Sequence, residues 1–585
     1  MVIRIRPHTK KLLLALPVSA ALLLLFLLLR GFFGAQLERQ AADVRISFSH
    51  PSGFYPEAFE LEILGSGRYD IHYTLDGSDP TPESPVYRHG TPLLIDDASP
   101  RANQYASRPD VSVGYDQALL EEYCGQSAAY TVTDEPVDKC TILRAAAFHR
   151  GKRVGEIVHG VYFVFPEQFS DYQKLYTVSV TADPDDLFGY ERGIMVTGRT
   201  LDDYFASQIL GGAEHKSTWY SSYWWWWPAN YRNTGAAWER RAHISVFNEE
   251  QALEMDQDCG IRVQGGGSRG RALRSLRCFS RPKYSGADLF DVSWFGDGIQ
   301  PDSFLLFSGG DDYGFNLRDL LIQELCQELN IATMDFIPCA LFLNGEFWGL
   351  YHITEDYNAG YLADHYQVDE NSLMLIKNGE VEAGEPPHRN IYLSMQDAVS
   401  GDLSEPEKYR EVCELIDVDS FIDYYALQIY IARYNDWPGS NFALWRTEER
   451  GTSPFGDGRW RWMLFDLNSG ALAGPTYNRA GEDSIQYVLE NDRMFAALFT
   501  NAEFRAKFAE RLLYIGDELL DAERCAAFMD SFDADTRNLL YQTNMRIYNE
   551  PRQDVIDAYY ENLKLFFVQR RASIEEQLSA HLAGR

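Results

Sequence analysis

The sequence contains no CxxC pair, its eight cysteines being scattered through 585 residues. That excludes a zinc ribbon, a zinc finger and a thioredoxin-type redox motif. Positive charge is also short, with 53 Lys and Arg against 86 Asp and Glu and a formal net charge of -33. Binding to a polyanion is driven by Lys and Arg, so nucleic acid is excluded as a partner. A small nucleotide is not, because a few local cations and a metal ion reverse the field inside one cleft. No internal repeat is present. What the chain has in quantity is apolar and aromatic: 45% hydrophobic residues, including 12 Trp, 35 Tyr and 34 Phe. This is folded material, long enough for more than one domain with large cores.

Arg4, Arg6, Lys10 and Lys11 precede an apolar run from Leu12 to Leu29, broken only by Pro17 and Ser19 and closed by Arg30. Eighteen helical residues span about 27 Å, close to the hydrocarbon thickness of a bilayer. The flanking charges keep the N-terminus cytoplasmic. Residues 1–36 are therefore expected to be a cytoplasmic stub and single-pass membrane anchor, with the large remainder extracytoplasmic. A cleaved signal peptide is the alternative; Arg30 stands where an uncharged cleavage region belongs, and Gly34-Ala35 is a poor small-residue site. In that compartment Cys124 and Cys140 are the expected disulfide. Cys278, Cys326, Cys339 and Cys413 lie in apolar patterns and read as buried small hydrophobes.

Residues 42–166 alternate as short β-runs between turns: Ile71 to Leu75, the turn Asp76-Gly77-Ser78-Asp79-Pro80, then Thr141 to Phe148 and Val158 to Val164. A small all-β sandwich is predicted, with Asp76 and Asp79 as turn formers. It resembles the C-terminal β-sandwich module of chitobiase and β-hexosaminidases at Phe54-Tyr55, Ile71 to Pro80, Tyr87, Ile142 to Ala147 and Tyr162-Phe163. The stretch from Ala98 to Lys139 departs from that pattern as an insertion. The resemblance implies contact with glycans and a docking or spacer role.

Residues 174–582 form the second predicted domain. Strands are expected at Tyr176 to Val180, Ile194 to Val196, Ala242 to Phe247 and Cys259 to Gln264. A helix follows at Phe315 to Leu329, then a hairpin at Ala340 to Ile353 turning on Asn344-Gly345. The last part is helical, over Asn501 to Leu520 and Asp554 to His581, with Arg570 and Arg571 on a polar face. Within this domain an apolar helix, Phe421 to Ala432, leads into Asn435-Asp436-Trp437-Pro438-Gly439-Ser440-Asn441. Strands at Asn441 to Arg446 and Arg461 to Phe465 come next, the second ending on Asp466-Leu467-Asn468. Phosphoryl transfer needs an acidic residue to orient the acceptor hydroxyl, an amide oxygen five positions on for a metal, and a later carboxylate for metal on the phosphates. Asp436 has the first role. Asn441 and Asp466 are expected to hold Mg²⁺ or Mn²⁺ through hard oxygens, with Asn468 as a further ligand.

Between an apparent strand and a basic segment lies the loop Gly265, Gly266, Gly267, Ser268, Arg269, Gly270. Backbone N–H groups of such a loop can approach phosphate oxygens where no Cβ stands in the way; an ordinary hairpin turn is the alternative. Tyr223-Trp224-Trp225-Trp226-Trp227-Pro228 reads either as a surface for sugar rings or a membrane interface, or as a long loop packed on its own domain.

From about Tyr176 onward the chain resembles the spore coat protein H (CotH) kinase family. The likeness rests on Asp183-Pro184-Asp185-Asp186-Leu187-Phe188 with Gly193-Ile194, the Gly265 to Gly270 loop with Arg274 to Arg277, and Leu317-Arg318-Asp319. It extends through Leu343 to Tyr351 with Glu355, Asn435 to Asn441 and Phe465 to Asn468. The resemblance implies a multidomain chain: a transmembrane helix, a small β-sandwich, then an α+β bilobal atypical-kinase-like domain with a helical C-terminal part. It implies use of ATP or another nucleoside triphosphate with Mg²⁺ or Mn²⁺, and phosphorylation of Ser or Thr on a surface or coat protein. The family commonly has lysine where Arg274 stands, so Arg274, Arg277 or, more weakly, Lys283 is left to contact phosphate, with Glu324 as a candidate ion-pair partner and an exposed helical Glu as the alternative. The kinase His-Arg before the aspartate is Tyr434-Asn435 here. A non-catalytic surface protein with a degenerate kinase-like fold and a glycan-docking module is the alternative function. A glycosidase ranks last, because no catalytic carboxylate pair is recognisable.

Overall fold

The computed structural model describes residues 45–582, apart from 66, 166–168, 211–222, 313, 435 and 472. The anchor expected at 12–29 lies outside the described residues; among those described, no helix is long and apolar enough to cross a membrane. The chain divides into two compact units, one ending at Asp97 and resuming over Cys140–Pro166, the other formed by Ala98–Lys139 and Glu167–Arg585.

The smaller unit is all β. Its main sheet has the order Gly53–Tyr55, Lys152–Val164, Cys140–His149, Asp70–Thr74, and two-stranded pairs join Phe59–Leu61 to Leu93–Ile95 and Ser47–Phe48 to Ile63–Leu64. Period-two patterning puts Leu61, Ile63, Ile71, Leu143, Tyr162 and Val164 into one core. The Asp76 carboxylate accepts from the Ser78 backbone N–H at 3.0 Å, closing the turn as its sequence dictates.

The larger unit begins with a closed seven-stranded barrel, in the order Arg240–Phe247, Leu253–Gln264, Ser275–Phe279, Ser303–Phe307, Glu346–Glu355, Phe336–Leu343, Tyr176–Ala182. Alternation sends Val263, Leu276, Cys278, Phe304 and Leu306 into its core. Arg262, Ser275 and Arg277 therefore lie on the outer face. The Asn344-Gly345 turn forms as expected, with φ of 43° and 86°. Ile194 to Val196 is not a strand. It follows the short helix Pro184–Phe188 as a buried loop, its N–H groups bonded back to that helix at Ile194 N to Asp186 O and Met195 N to Leu187 O.

The segment 98–139, an insertion in the sandwich pattern, is built into the barrel unit. The buried Glu346 carboxylate accepts three consecutive backbone N–H groups, from Gln104 (2.6 Å), Tyr105 (2.9 Å) and Ala106 (2.7 Å). Tyr105 stacks on Phe188 at 4.5 Å, and Ser112 Oγ donates to the Gly270 carbonyl at 2.6 Å. The Cys124–Cys140 bridge is not formed: all eight cysteines are thiols, and Cys124 ends the helix Gln117–Cys124 with a hydrogen bond to the Trp224 backbone. Cys278, Cys326 and Cys339 are buried as expected, whereas Cys413 is partly exposed.

Beyond the barrel, a four-stranded sheet runs Glu380–Ala383, Leu373–Lys377, Ala443–Thr447, Arg461–Met463. Against its strand Arg461–Met463 packs the helix Val418–Tyr430, buried at every position but Asp419, and the helix Ala502–Tyr514 packs on that helix in turn. The chain ends in two long helices, Ala522–Tyr548 and Gln553–Leu582. Arg570, expected on a polar face, is fully buried. Its guanidinium donates to the carbonyls of Ile429, Tyr430, Ala480 and Glu482 at 2.7–2.8 Å, tying the last helix to the end of the Val418–Tyr430 helix. Arg571 alone of the two reaches the surface, pairing with Asp517.

Candidate functional site

The Val418–Tyr430 helix starts on an Asp417 cap, which accepts from Ser420 N, and runs out at Ile431-Ala432, where Ala432 adopts a φ of 51°. This left-handed step delivers Arg433, fully buried, into the centre of the site. Its Nη2 donates to Asp436 Oδ2 at 2.7 Å and to the Asp466 carbonyl, and its Nη1 donates to the Phe465 carbonyl at 3.3 Å. One cation thus joins the loop after the helix to the loop after the strand Arg461–Met463. Asp436 Oδ2 also accepts from Asn441 Nδ2 at 3.0 Å and Ser469 Oγ at 2.6 Å, while Oδ1 is buried and has no partner among the described residues. Burial would raise the Asp436 carboxyl, but Arg433 and the two other donors, Ser469 and Asn441, outweigh it and hold the group below its ordinary value. It stays ionised.

Asp466 sits on the opposite wall, also left-handed at a φ of 57°, with Asn468 Nδ2 bonded to its Oδ1. Asn441 (φ 54°) and Ala471 (φ 44°) complete a set of four strained non-glycine positions around one spot. Such strain persists only where surrounding contacts impose it. Burial pushes the Asp466 carboxyl up to about 6, with Asp436 and Asp311 adding repulsion against the pull of Arg433. Beneath it the buried Asp319 accepts from Leu467 N at 3.1 Å and Gln323 Nε2 at 3.3 Å; burial and the neighbouring Asp466 push its carboxyl up to about 7. Crowded carboxylates with one arginine among them, an orphaned Asp436 Oδ1, and two amide side chains at hand fit a hard divalent cation. Asp466, Asn468 and Asn441 are the residues that would hold it.

A pH dependence follows for the metal-free protein. Between the unfolded carboxyl value, about 4, and the folded values of about 6 and 7, the folded state binds more protons than the unfolded chain. Unfolding free energy contributed by this pair therefore falls as pH rises through that window and is fully lost above it. Asp319→Asn is expected to remove up to about 4 kcal/mol of that pH dependence, read as a flatter difference between urea midpoints at pH 5 and pH 7.5 in chelator.

The glycine loop is used differently from its expectation. Gly267–Gly270 form a 3₁₀ turn, and Trp225 and Trp226 lie on it: a Cβ on Gly270 would stand 2.6 Å from Trp225 Cα, and one on Gly267 3.2 Å from the Trp225 ring. Glycine is required here by the close approach of the tryptophan segment, so the Trp run is a loop packed on its own domain. Arg269 folds back on Gly265 O at 2.6 Å. Arg274 is fully buried, donating to the carbonyls of Arg269, Met195, Val111 and Arg271 and stacking on Tyr231, with burial holding its guanidinium down to about 10. It is a structural clamp that cannot reach a phosphate. Glu324 is exposed and accepts from Gln327 at 3.3 Å; it does not pair with Arg274. Its helix, Arg318–Leu325, turns Asp319 and Gln323 inward at i and i+4, and Glu324 one position later points away.

Arg277, by contrast, reaches the cleft side of the barrel and pairs with Asp356 just after the strand Glu346–Glu355. Asp356 also attracts Lys377, whose ammonium lies 5.2 Å from the Phe465 ring and donates to Tyr357 O at 3.1 Å. Charged groups thus lead from the barrel's outer face as far as the ring of Phe465, the residue before Asp466. Lys283, the weaker substitute, pairs with Glu239 at 2.9 Å. Arg433, Asp319, Ser469, Lys377 and Asp356 were not assigned roles by the sequence. Arg433 had a signal in its position, a lone cation closing an otherwise apolar helix; the others become visible only when distant segments meet.

A family model described as CotH kinase protein matches residues 261–574, and one described as Fn3 associated matches residues 60–162. No curated protein matches the chain.

Proposed function

Because the chain belongs to the CotH kinase protein family, we propose that it is an atypical protein kinase, transferring the γ-phosphoryl group of ATP or another nucleoside triphosphate to Ser or Thr. The acceptor would be a surface or coat protein, and the anchor read at 12–29 would hold the two units outside the cell membrane. The observation that carries this reading is the meeting of Asp436, Asn441, Asp466 and Asn468 around Arg433.

The residues divide the work. Asp436, kept ionised by Arg433, presents its unpartnered Oδ1 to orient an acceptor hydroxyl. A carboxylate below its ordinary value is a weak base, which suits a loose transition state in which the hydroxyl proton leaves late. Ser469 and Asn441 fix the Asp436 rotamer. Asp466 and Asn468 hold the metal edge of the site, with Asp319 supporting the Leu467 backbone below them. Mg²⁺ or Mn²⁺, when bound, supplies charge neutralisation on the phosphates. The test is radiolabel transfer from nucleoside triphosphate by the purified chain with Mg²⁺ or Mn²⁺, against the Asp436→Asn and Asp466→Asn variants.

A second reading, a non-catalytic surface protein, is favoured by one observation: Arg274 is locked in carbonyl contacts and the glycine loop is covered by Trp225 and Trp226. Thermal shift separates the two. Stabilisation by ATP that requires the metal supports the kinase; its absence supports the binding protein.

A further inference from the structure

Three arginines converge on one aromatic ring outside the constellation around Arg433. The guanidinium carbons of Arg262, Arg281 and Arg277 lie 4.2, 4.6 and 5.0 Å from the centroid of Phe279. Arg262 and Arg277 are direct cross-strand partners between Leu253–Gln264 and Ser275–Phe279. Like charges in that relation repel and destabilise a sheet. Burial, then Arg277 and Arg281, hold the Arg262 guanidinium below its ordinary range against the pull of Glu239.

Neighbouring acids do not cancel this charge. Glu239 is shared among Arg281 (3.1 Å), Lys283 (2.9 Å) and, at 3.7 Å, Arg262; Asp356 pairs with Arg277. Four cations thus stand against two carboxylates, in a chain whose net charge is -33. Arg262 makes no hydrogen bond among the described residues, and the terminal nitrogens of Arg277 make none either; their side chains are 25% and 18% exposed. Unused guanidinium forks ranged around the buried Phe279 ring match the oxygens of phosphate, which take paired N–H donors. Gly260 is what allows the arrangement: a Cβ there would stand 2.8 Å from Glu239 Oε1 and 2.7 Å from the Tyr284 ring.

We propose that Arg262, Arg277 and Arg281 around Phe279 form a polyphosphate-binding site that works without a metal ion, separate from the carboxylates at Asp466. The ligand is the polyphosphate of a nucleotide, since Asp356 and Lys377 continue the same face toward Phe465 and the acid loop. This deepens the kinase reading by adding a second phosphate-holding point, and it stands or falls independently of Asp436.

The probe is inorganic pyrophosphate, titrated calorimetrically into the full chain in chelator, followed by ADP under the same conditions. Wild type is expected to bind both, with affinity falling as salt rises. Arg262→Leu keeps apolar contact with Phe279 and removes the repulsion with Arg277. It should weaken pyrophosphate and ADP at least tenfold while leaving the melting temperature equal to or above wild type. Asp466→Asn should leave metal-free pyrophosphate binding unchanged. Pyrophosphate affinity unaltered by Arg262→Leu, or lost in Asp466→Asn, overturns the proposal. So does binding of pyrophosphate without ADP, which would mark a small-anion site unrelated to nucleotide. A failure of phosphoryl transfer with these results intact would count against the kinase reading alone.

Discussion

Asp466→Asn is expected to lower phosphoryl transfer by about 10³-fold or more, roughly 4 kcal/mol of transition-state stabilisation, without unfolding the protein. Burial, with repulsion from Asp436 and Asp311, raises the carboxyl to about 6, and Asp466 in turn pushes the buried Asp319 up. Asparagine keeps the size, relieves the repulsion and removes the anionic oxygen that would face the metal. The variant should therefore melt at or above the wild-type temperature in chelator, yet show no metal-dependent stabilisation by ATP. Asp436→Asn separates from it. Its loss of transfer should be about 10²- to 10³-fold, with metal-dependent ATP stabilisation retained, because the proposed role of Asp436 is toward the acceptor and not the metal. Labelling by both variants at the wild-type rate would remove the catalytic assignment and leave the fold intact.

Glu346→Ala is expected to be the most damaging single change to stability. The carboxylate collects the N–H groups of Gln104, Tyr105 and Ala106 in a buried setting, and alanine would strand all three donors. Hydrogen bonds to a charged acceptor contribute about 1.5–3 kcal/mol each, though not additively, so a loss of about 4 kcal/mol is expected. Glu346→Gln, which keeps one acceptor oxygen, should recover about half of it. Urea unfolding gives the magnitude, and limited proteolysis within 98–139 should accelerate in the alanine variant before the barrel itself is cut. A loss below about 1 kcal/mol would mean that other contacts, such as Tyr105 on Phe188, hold the segment.

Local rules made much of this legible. The Asn344-Gly345 hairpin, the helix ending at Tyr430 and the two strands between Asp436 and Asp466 follow from turn chemistry and apolar runs, and the acid and amide residues they carry do meet. Where the reading went astray, long polar side chains were placed by default at the surface or in the cleft. Arg274 and Arg570 are instead buried carbonyl clamps, because a guanidinium with five donors can satisfy several loop carbonyls at once. Ile194 to Val196 has strand composition, but the N–H groups of Ile194 and Met195 are taken by carbonyls of the preceding helix instead of a ladder. Glu324 and Asp319 share a helix, and only its rotation decides which faces Asp466. Of the polyphosphate cradle only Arg277 was named from the sequence: Arg262 stands fifteen residues away and becomes its neighbour only through strand register.

The path of the chain through Ala98–Lys139 has a consequence for dissection. The backbone leaves the sandwich at Asp97, contributes its excursion to the barrel unit, and re-enters the sandwich at Cys140 before departing for good. Neither unit is a contiguous stretch of gene. A fragment starting at Tyr176 would present Glu346 and Arg274 with no Gln104–Ala106 or Val111 to meet, and a fragment ending at Phe165 would carry an excursion whose hydrogen-bonding partners are missing. The two units are interleaved along the sequence, so no single cut in the chain separates one from the other.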